Sequence, residues 1–533
     1  MRATTISSLL GFGTLAVFSL LGAGCPPSYF ETCKGAECGQ PEDDGGLASE
    51  TGGDGSAAAL PKITGVTISG NPSRTIRQGF GGTPTNLTTT VRLSGERLDH
   101  VTTVAVGNAP SALDGVISSK TSTELVFTLL VRHGAPIGSL PLKVTSPSGT
   151  ATFSDAISIT AITASPLGTD ALEIGLDSSG TSEHPFRSLL KAAEIAVAGD
   201  TISLNDGIYD TEHGELFTRN GRSIPADITI KGESPGGTLL IGPSNDCGMI
   251  KDGLVLVGSA RLENLVIHRF CGTGIVTSTI GTVTLKSVDI HDVGQVGLAA
   301  NTETILDSVD ISAPIDAIHA ENAKLTIAHS HIHHSATGIF AMGGALAVTA
   351  SEIDHHCCYP FDDREGSAAI VTDSPVTLTD THIHDNAAIG LFIKYTERRV
   401  PVLVAKSSFS ANDEAIRFSA TVDATVRDTT FGRDNKALIH VYGASDLDLG
   451  KPETPGNNRF WLCDTCDGVI DSRFSPTNLK PITVFGNWWS LVDSIPLGCI
   501  DRDSPSGKTS PPRHWHIDAP GKCASSTGNR FFN

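Results

Sequence analysis

Between residues 262 and 434 the chain repeats one phrase of apolar and polar positions. LENLVIHRF, LKSVDIHDV, LDSVDISAP, IAHSHIHHS, VTASEIDHH, LTDTHIHDN, VAKSSFSAN and VRDTTFGRD align on a shared Ile or Phe at 267, 290, 311, 332, 353, 383, 409 and 431. The successive gaps of 23, 21, 21, 21, 30, 26 and 22 residues predict a solenoid. A second apolar run follows most of these phrases, seven or eight residues after the shared residue, as in TGIV, GLAA, DAIHA, TGIF, IGLFI and EAIRF; no room is left for a helix in each repeat. Every coil should therefore be built of β-strands. Leu285 and Ile290, Ile327 and Ile332, and Leu378 and Ile383 should point inward and stack on their counterparts in neighbouring coils. The extra residues of the longest gap predict an outstanding loop at 355–365.

Two other segments have different patterns. From 61 to 162, short alternating runs (KITGVTIS, TTTVRLSG, TTVAVG, ELVFTLLV, LPLKVTSPSG, ISIT) are separated by Gly, Pro, Asn and Ser. About seven such strands in about 100 residues predict a β-sandwich. In GTSEHPFRSLLKAAEIAVAGDTISLNDGIY, 180 to 209, Phe186, Leu189, Leu190, Ala193 and Val197 share one helical face, Pro185 suits the first turn and Gly199 the stop. Such a helix would lid the open end of a stacked β structure and hide its edges.

Side chains alternate along a strand, so the residues flanking each inward Ile or Phe both face out. Up the stack these pairs read Val266/His268, Asp289/His291, Asp310/Ser312, His331/His333, Glu352/Asp354, His382/His384, Ser408/Ser410 and Thr430/Gly432. Two H-x-H rungs thus flank one E-x-D rung, with coils ~4.8 Å apart. Imidazoles of His331, His333, His382 and His384, with a carboxylate of Glu352 or Asp354, suit Zn²⁺ or a similar divalent ion. Without metal, Asp289, His291, Glu352 and Asp354 are acid–base candidates, because His beside a carboxylate titrates near neutral pH. His355, His356, Asp362, Asp363 and Arg364 would wall one side of that cleft from the loop. Lys394 and Arg398 in FIKYTERR, beside Tyr395 and Arg399, suit an acidic sugar, with Lys394 outward if Ile393 is inward. The competing reading is a solvated ladder, since the outer face of any β-solenoid must be polar. His329 falls in a column with Ser287, Ser308, Ala350 and Asp380, and His334 begins a turn, so only two of the four histidines in IAHSHIHHSATGIF belong to the candidate site.

Several phrases resemble known families. VRLSGERLD and GSLPLKVTSPSG resemble the immunoglobulin-like IPT/TIG domain, which implies a spacer or binding module without catalytic residues. The 180–209 phrase resembles the entrance to right-handed parallel β-helix domains of the pectate-lyase-like superfamily. DLGKPETPGNNRF (448–460) and FGNWWS (485–490) are similar to a group of bacterial exported proteins within it. The resemblance covers about 165–533 and implies the fold without an enzyme motif. Pectate lyases carry an aspartate-rich Ca²⁺ site with an essential Arg, and polygalacturonases NTD, DD, GHG and RIK phrases. Here only Asp362-Asp363 matches DD, in an insertion rather than on a rung.

The N-terminus changes the setting. MRATTISSLLGFGTLAVFSLLGAGC has Arg2, an apolar run too short for a span, and Gly22, Ala23 and Gly24 before Cys25, the layout of a cleaved export signal. It resembles a bacterial lipoprotein signal, which implies lipid on Cys25, although Leu21 stands four rather than three residues before the Cys. GQPEDDGGLASETGGDGSAAA, 39 to 59, has almost nothing to bury and predicts a flexible tether. With Cys25 lipidated, ten of the 11 cysteines remain, an even number that suits an oxidising compartment. Natural pairings are Cys33 with Cys38, Cys247 with Cys271, and Cys499 with Cys523. Cys463 and Cys466 in CDTC read as a local disulfide ahead of a zinc or redox motif, and Cys357 and Cys358 as a vicinal bridge or as members of two pairs. The acidic balance, 38 Lys+Arg against 58 Asp+Glu, speaks against nucleic acid or anionic membrane surfaces as partners.

The expected protein is all-β: signal peptide 1–24, lipidated tether 25–60, IPT/TIG-like sandwich 61–162, right-handed parallel β-helix with cap helix 165–440, and a Cys-containing segment 441–533 closing it. Its expected setting is the outer membrane or cell surface, held by the lipid. The leading function is recognition or scaffolding of a polysaccharide, because a long ridged face suits an extended polymer. The alternatives are a polysaccharide lyase, hydrolase or epimerase, metal-assisted or not, and a purely structural envelope protein.

Overall fold

The computed structural model describes residues 59–68, 74–78, 89–108, 113–131, 134–170, 180–215, 221–243, 252–357, 368–432, 434–441, 445–461, 470–472, 486–490 and 530–532. The signal segment, Cys25 and the tether up to residue 58 lie outside the described residues, as do Cys33, Cys38, Cys247, Cys358, Cys463, Cys466, Cys499 and Cys523. Every expected cysteine pairing thus has a member outside them. Asp362, Asp363 and Arg364 lie outside them as well.

The alternating segment folds as eight strands between Lys62 and Thr160. In spatial order they are Lys62–Ile68, Thr89–Glu96, Glu124–Leu129, Leu113–Lys120, Thr103–Val106, Gly138–Ser146, Gly149–Thr160 and Thr75–Arg77. All neighbours are antiparallel except the last pair. Alternate residues of the central strands are buried: Val91, Leu93, Leu125, Phe127, Leu142 and Val144 build a core separate from that of the solenoid. Ile162–Ala164 then opens the solenoid by pairing with Thr201–Leu204. The Thr201 N–H donates to Gln78 Oε1 at 2.9 Å and the Gly134 N–H to Asp200 Oδ1 at 3.1 Å, which ties this eight-stranded unit to the first coil.

The cap helix is shorter than the apolar face suggests. It runs Leu189–Ile195, with Ser188 as N-cap, its Oγ accepting from the Lys191 N–H at 3.1 Å. Glu215 accepts from the N–H groups of Leu189 and Leu190, taking two more of the helix's orphan donors. Pro185 precedes the helix, and Phe186, fully buried, bridges Ala164 as an extended residue. Val197 falls beyond the helix and is 38% exposed, so the buried face is Leu189, Ala192 and Ala193. A cap that covers one coil end needs only two turns.

From Thr201 on, the chain is a right-handed parallel β-helix. Each coil contributes to three parallel ladders, represented in one coil by Lys324–Ala328, His331–His333 and Thr337–Met342. Leu285, Ile290, Ile327, Ile332, Leu378 and Ile383 are all fully buried, in the columns the sequence predicts. Farther up, the inward column turns aromatic, and Phe431 stacks between Phe409 (5.4 Å) and Phe460 (4.9 Å). The ladders continue past residue 440 through Asp446–Asp448, Arg459–Phe460 and Trp488–Ser490, so the solenoid extends into the expected closing segment.

Two left-handed bends frame the second ladder. Before it, one residue per coil has positive φ: Ser287, Ser308, His329, Ala350, Asp380, Lys406 and Asp428. After it, Asp292, His334, His355, Asp385 and Ala411 do the same. From the coil of His329 and His334 upward, each bend is followed by a buried polar column. Ser335, His356, Asn386, Asn412 and Asn435 form the second column, in which a backbone N–H donates to the next coil's side chain: Ser335 N to His356 Nδ1 (3.3 Å), His356 N to Asn386 Oδ1 (2.9 Å), Asn412 N to Asn435 Oδ1 (3.1 Å). These bonds satisfy backbone groups that parallel stacking leaves buried at a bend. Gly338 is needed beside this column, because a Cβ there would stand 2.6 Å from His356 Nε2 and 2.5 Å from the Ala369 carbonyl oxygen.

Candidate functional site

The outward pairs stack as expected. In the second ladder Asp289, Asp310, His331, Glu352, His382 and Ser408 are consecutive register partners, and beside them run Ser312, His333, Asp354, His384 and Ser410. Coil spacing of ~4.8 Å brings each imidazole within reach of a carboxylate on a neighbouring rung.

Asp310 and Asp354 are the hubs. Asp310 Oδ1 accepts from His333 Nε2 at 2.8 Å, and its Oδ2 lies 3.3 Å from His331 Nδ1. His331 Nε2 reaches the other way to Asp354 Oδ1 at 2.8 Å, while His355 Nδ1 takes Asp354 Oδ2 at 2.6 Å. Pinned between two rings, the Asp354 side chain is only 7% exposed although its position faces out. His384 joins Glu352 (Nε2 to Oε1, 2.8 Å) to Asp385 (Nδ1 to Oδ2, 2.7 Å). An imidazole with a carboxylate on each nitrogen is best satisfied with both protons, as the imidazolium.

The electrostatics agree with that pattern. Burial by itself would raise the Asp310 carboxyl, but the hydrogen bonds and charges of His333 and His331 bring it below its usual range. Burial likewise opposes ionisation of Asp354, and His355 and His331 overcome it. The Asp310 hydrogen bond holds His333 above the ordinary histidine value. Burial would lower His384, yet Asp385 and Glu352 outweigh it and the ring titrates high. Asp289 is different: burial and then the charge of Asp310 push it up.

Histidines and carboxylates line an open groove of about 570 Å³ across four coils, with Asp310, His329, His331, Glu352, Asp380 and His382 among its walls. His382 is exposed there and hydrogen-bonds Ser408 Oγ through Nδ1 at 2.8 Å. The four histidines expected as a metal set do not share a centre: His331 and His333 meet on Asp310, while His382 and His384 turn to Ser408 and to Glu352 and Asp385. The short contacts around Asp310 and Asp354 have the lengths of charge-assisted hydrogen bonds.

Other expected members stand elsewhere. His356 does not wall a cleft: it is fully buried in the second polar column. Its Nε2 donates to the Ile332 carbonyl at 3.0 Å, and burial depresses it to about 4. Lys394 is exposed, as expected from the buried Ile393, but follows a strand of the third ladder, away from the imidazole ladder. Arg398 is exposed in the turn after it, and Arg399 pairs with Asp423 and Asp446. His291 lies at the lower end of the second ladder, in register with His268. Sequence reasoning placed Asp310 on the outer face but did not single it out. The signal was available in the ladder: Asp310 is the rung immediately below His331/His333, one coil spacing away.

Residues 316–460 match the model of a right-handed beta helix region. No curated protein matches the chain. Among solved structures, the A-module of a mannuronan C-5 epimerase from Azotobacter vinelandii is similar over 61% of this chain and 100% of its own, at 10% identity and a TM-score of 0.34. A pectin methylesterase in complex with a hexasaccharide is similar over 60% of this chain and 92% of its own, at 12% identity and a TM-score of 0.26. The catalytic domain of an α-1,3-glucanase in complex with tetrasaccharides is similar over 80% of this chain and 100% of its own, at 9% identity and a TM-score of 0.25.

Proposed function

We propose that the β-helix binds a neutral polysaccharide along the groove over its second ladder, and that the lipid on Cys25, the tether and the IPT/TIG-like sandwich hold it at the cell envelope. The observation that carries this reading is the groove itself: open, walled by Asp, Glu and His side chains, about 570 Å³, and crossing four successive coils. An enclosed pocket suits a small ligand, whereas an open trough with a repeat of ~4.8 Å offers a polymer equivalent contacts along its length. The acidic walls select among polymers. Asp310, Glu352 and Asp380 offer acceptors to sugar hydroxyls and, in a chain of net charge −20, repel polyanions. Exposed His382 supplies a ring nitrogen to the same floor.

A panel of neutral and acidic polysaccharides, read by calorimetry on the whole protein, tests it. A neutral glycan is expected to bind, and Glu352→Gln or His382→Ala to weaken it about tenfold, the worth of one good hydrogen bond to a charged group. Lys394→Ala should bind as the parent does. Binding confined to acidic polymers, or unchanged in both groove variants, would refute the reading.

A second reading, hydrolysis of that glycan, is favoured by Asp289 and Asp310 on successive rungs. Rungs ~4.8 Å apart place two carboxyl groups near the ~5–5.5 Å separation of a retaining pair. Release of reducing ends that Asp289→Asn abolishes would support it; a bound glycan left intact by the parent would end it.

A further inference from the structure

A different cluster lies lower on the same ladder. His268 and His291 are register partners on adjacent coils, and Asp292 follows at a left-handed bend, φ 54, which turns its side chain back across the rung. The Nδ1 atoms of the two rings face each other at 3.1 Å. Asp292 Oδ2 lies 3.4 Å from each of them. The rings themselves are tilted by 45°, with centroids 4.4 Å apart.

These three distances are those of ligands around one small ion. Two donors bonded at ~2.0–2.1 Å in a tetrahedral site lie about 3.3–3.4 Å apart. The triangle with sides 3.1, 3.4 and 3.4 Å has a circumradius of about 1.9 Å. An ion ~2.05 Å from all three atoms would therefore stand about 0.7 Å above their plane, a third of the bond length, which is the height an ideal tetrahedral centre has above three of its ligands. Hydrogen bonding explains the arrangement less well. One proton between the rings serves one contact, and it leaves the carboxylate oxygen equidistant from both nitrogens at a length longer than the 2.6–2.8 Å pairs farther up the ladder.

We propose that His268, His291 and Asp292 bind a zinc-class divalent ion that clamps two adjacent coils. Two imidazole nitrogens and one carboxylate oxygen are the donor set of borderline ions such as Zn²⁺ and Co²⁺. The side chains rise in exposure from 11% at His268 through 41% at His291 to 68% at Asp292, so the ion is anchored on the buried side and keeps its fourth position toward solvent. This site is separate from the groove and stands or falls independently of the glycan reading.

The probe is the metal alone. Whole protein stripped with chelator is dialysed against micromolar ZnSO₄, metal is counted by mass spectrometry, and Co²⁺ is titrated with visible spectra recorded. One equivalent of zinc and the intense visible bands of four-coordinate Co²⁺ are expected in the parent. His291→Ala and Asp292→Asn, both at partly exposed positions, should each lose that equivalent, whereas His331→Ala combined with His384→Ala should keep it. The unfolding midpoint in urea should rise with zinc in the parent and not in the two site variants. Absence of bound zinc in the parent overturns the proposal, as does zinc that survives in His291→Ala.

Discussion

His356 is an imidazole in an asparagine's place, and replacing it with asparagine should remove a defined part of the protein's acid sensitivity. In the neighbouring coils the Nδ2 groups of Asn386, Asn412 and Asn435 donate to the carbonyls of the inward residues Ile353, Ile383 and Phe409. His356 Nε2 does the same to Ile332, and its Nδ1 accepts the Ser335 N–H as an asparagine oxygen would. Both roles require the neutral ring. Burial lowers its folded value from 6.5 to about 4. Above pH 6.5 the ring is neutral folded and unfolded, and the shift costs nothing. As pH falls from 6.5 to 4 only the unfolded chain takes the proton, so stability is lost across that window, at about 1.4 kcal/mol per pH unit or about 3 kcal/mol in all. His356→Asn keeps the donor and the acceptor but cannot titrate. In urea unfolding the parent and variant should lie within about 1 kcal/mol at pH 7, and by pH 4 the parent should have fallen about 3 kcal/mol further. Other groups titrate in the same range but are common to both proteins, so they cancel in the difference. Parallel stability curves would refute the assignment of His356 as a buried neutral member of the column. His356→Ala is the contrasting case: it strips partners from a buried N–H and a buried carbonyl, and should cost about 2–5 kcal/mol relative to His356→Asn at every pH.

Phe431, buried and stacked between Phe409 and Phe460, should be the most sensitive point of the upper coils: Phe431→Ala is expected to cost about 3–5 kcal/mol, seen as a lower urea midpoint, and a cost below 1 kcal/mol would mean that the aromatic column does not carry the stack. On the outer face, Glu352→Gln removes one of the three carboxylates, with Asp385 and Asp354, that hold His384 above the ordinary histidine value, so its ring should titrate lower by proton NMR. The sign follows: an elevated histidine stabilises below its unfolded value and that contribution fades as pH rises through the folded one, so the variant should lose stability in mild acid rather than in base. A His384 titration unmoved by the substitution would assign the elevation to Asp385 and Asp354.

The solenoid was legible because one inward residue per coil repeats at a nearly fixed period, and that column alone sets the register of the outward pairs on either side. The bend columns were legible in part. His329 was grouped correctly with Ser287, Ser308, Ala350 and Asp380, which share its positive φ. His356 was not, because the long insertion after it made its neighbourhood read as loop, and nothing in the order His355-His356 says that the first faces out and the second faces in. The apolar spacing overstates the cap helix because Phe186 and Val197 continue it while Phe186 pairs with Ala164 and Val197 opens a turn closed by the Asp200 N–H. The groups missed at the candidate sites, Asp310 and the His268/His291/Asp292 cluster, depend on contacts between coils, some of them diagonal. A rung-by-rung reading sees neighbours in a column, whereas a side chain as long as histidine reaches the adjacent column of the next coil.

The histidines of IAHSHIHHSATGIF show how this fold assigns chemistry. His329, at the first bend, swings outward to Asp307 at 3.0 Å and joins the groove wall. His331 and His333 lie on one strand, stacked ring on ring at 4.2 Å, and share Asp310. His334, at the second bend, stacks on His355 of the next coil at 4.9 Å with the rings 3° from parallel. One backbone template thus gives four adjacent imidazoles three environments, because each bend rotates its side chain out of the alternation that rules the strand. The same rule made Asp292 available to His268 and His291, where a bend residue returns across its own rung. In a solenoid of this kind, composition along the sequence tells little about function; what decides it is whether a polar residue falls on a rung, at a bend, or in the buried column behind it.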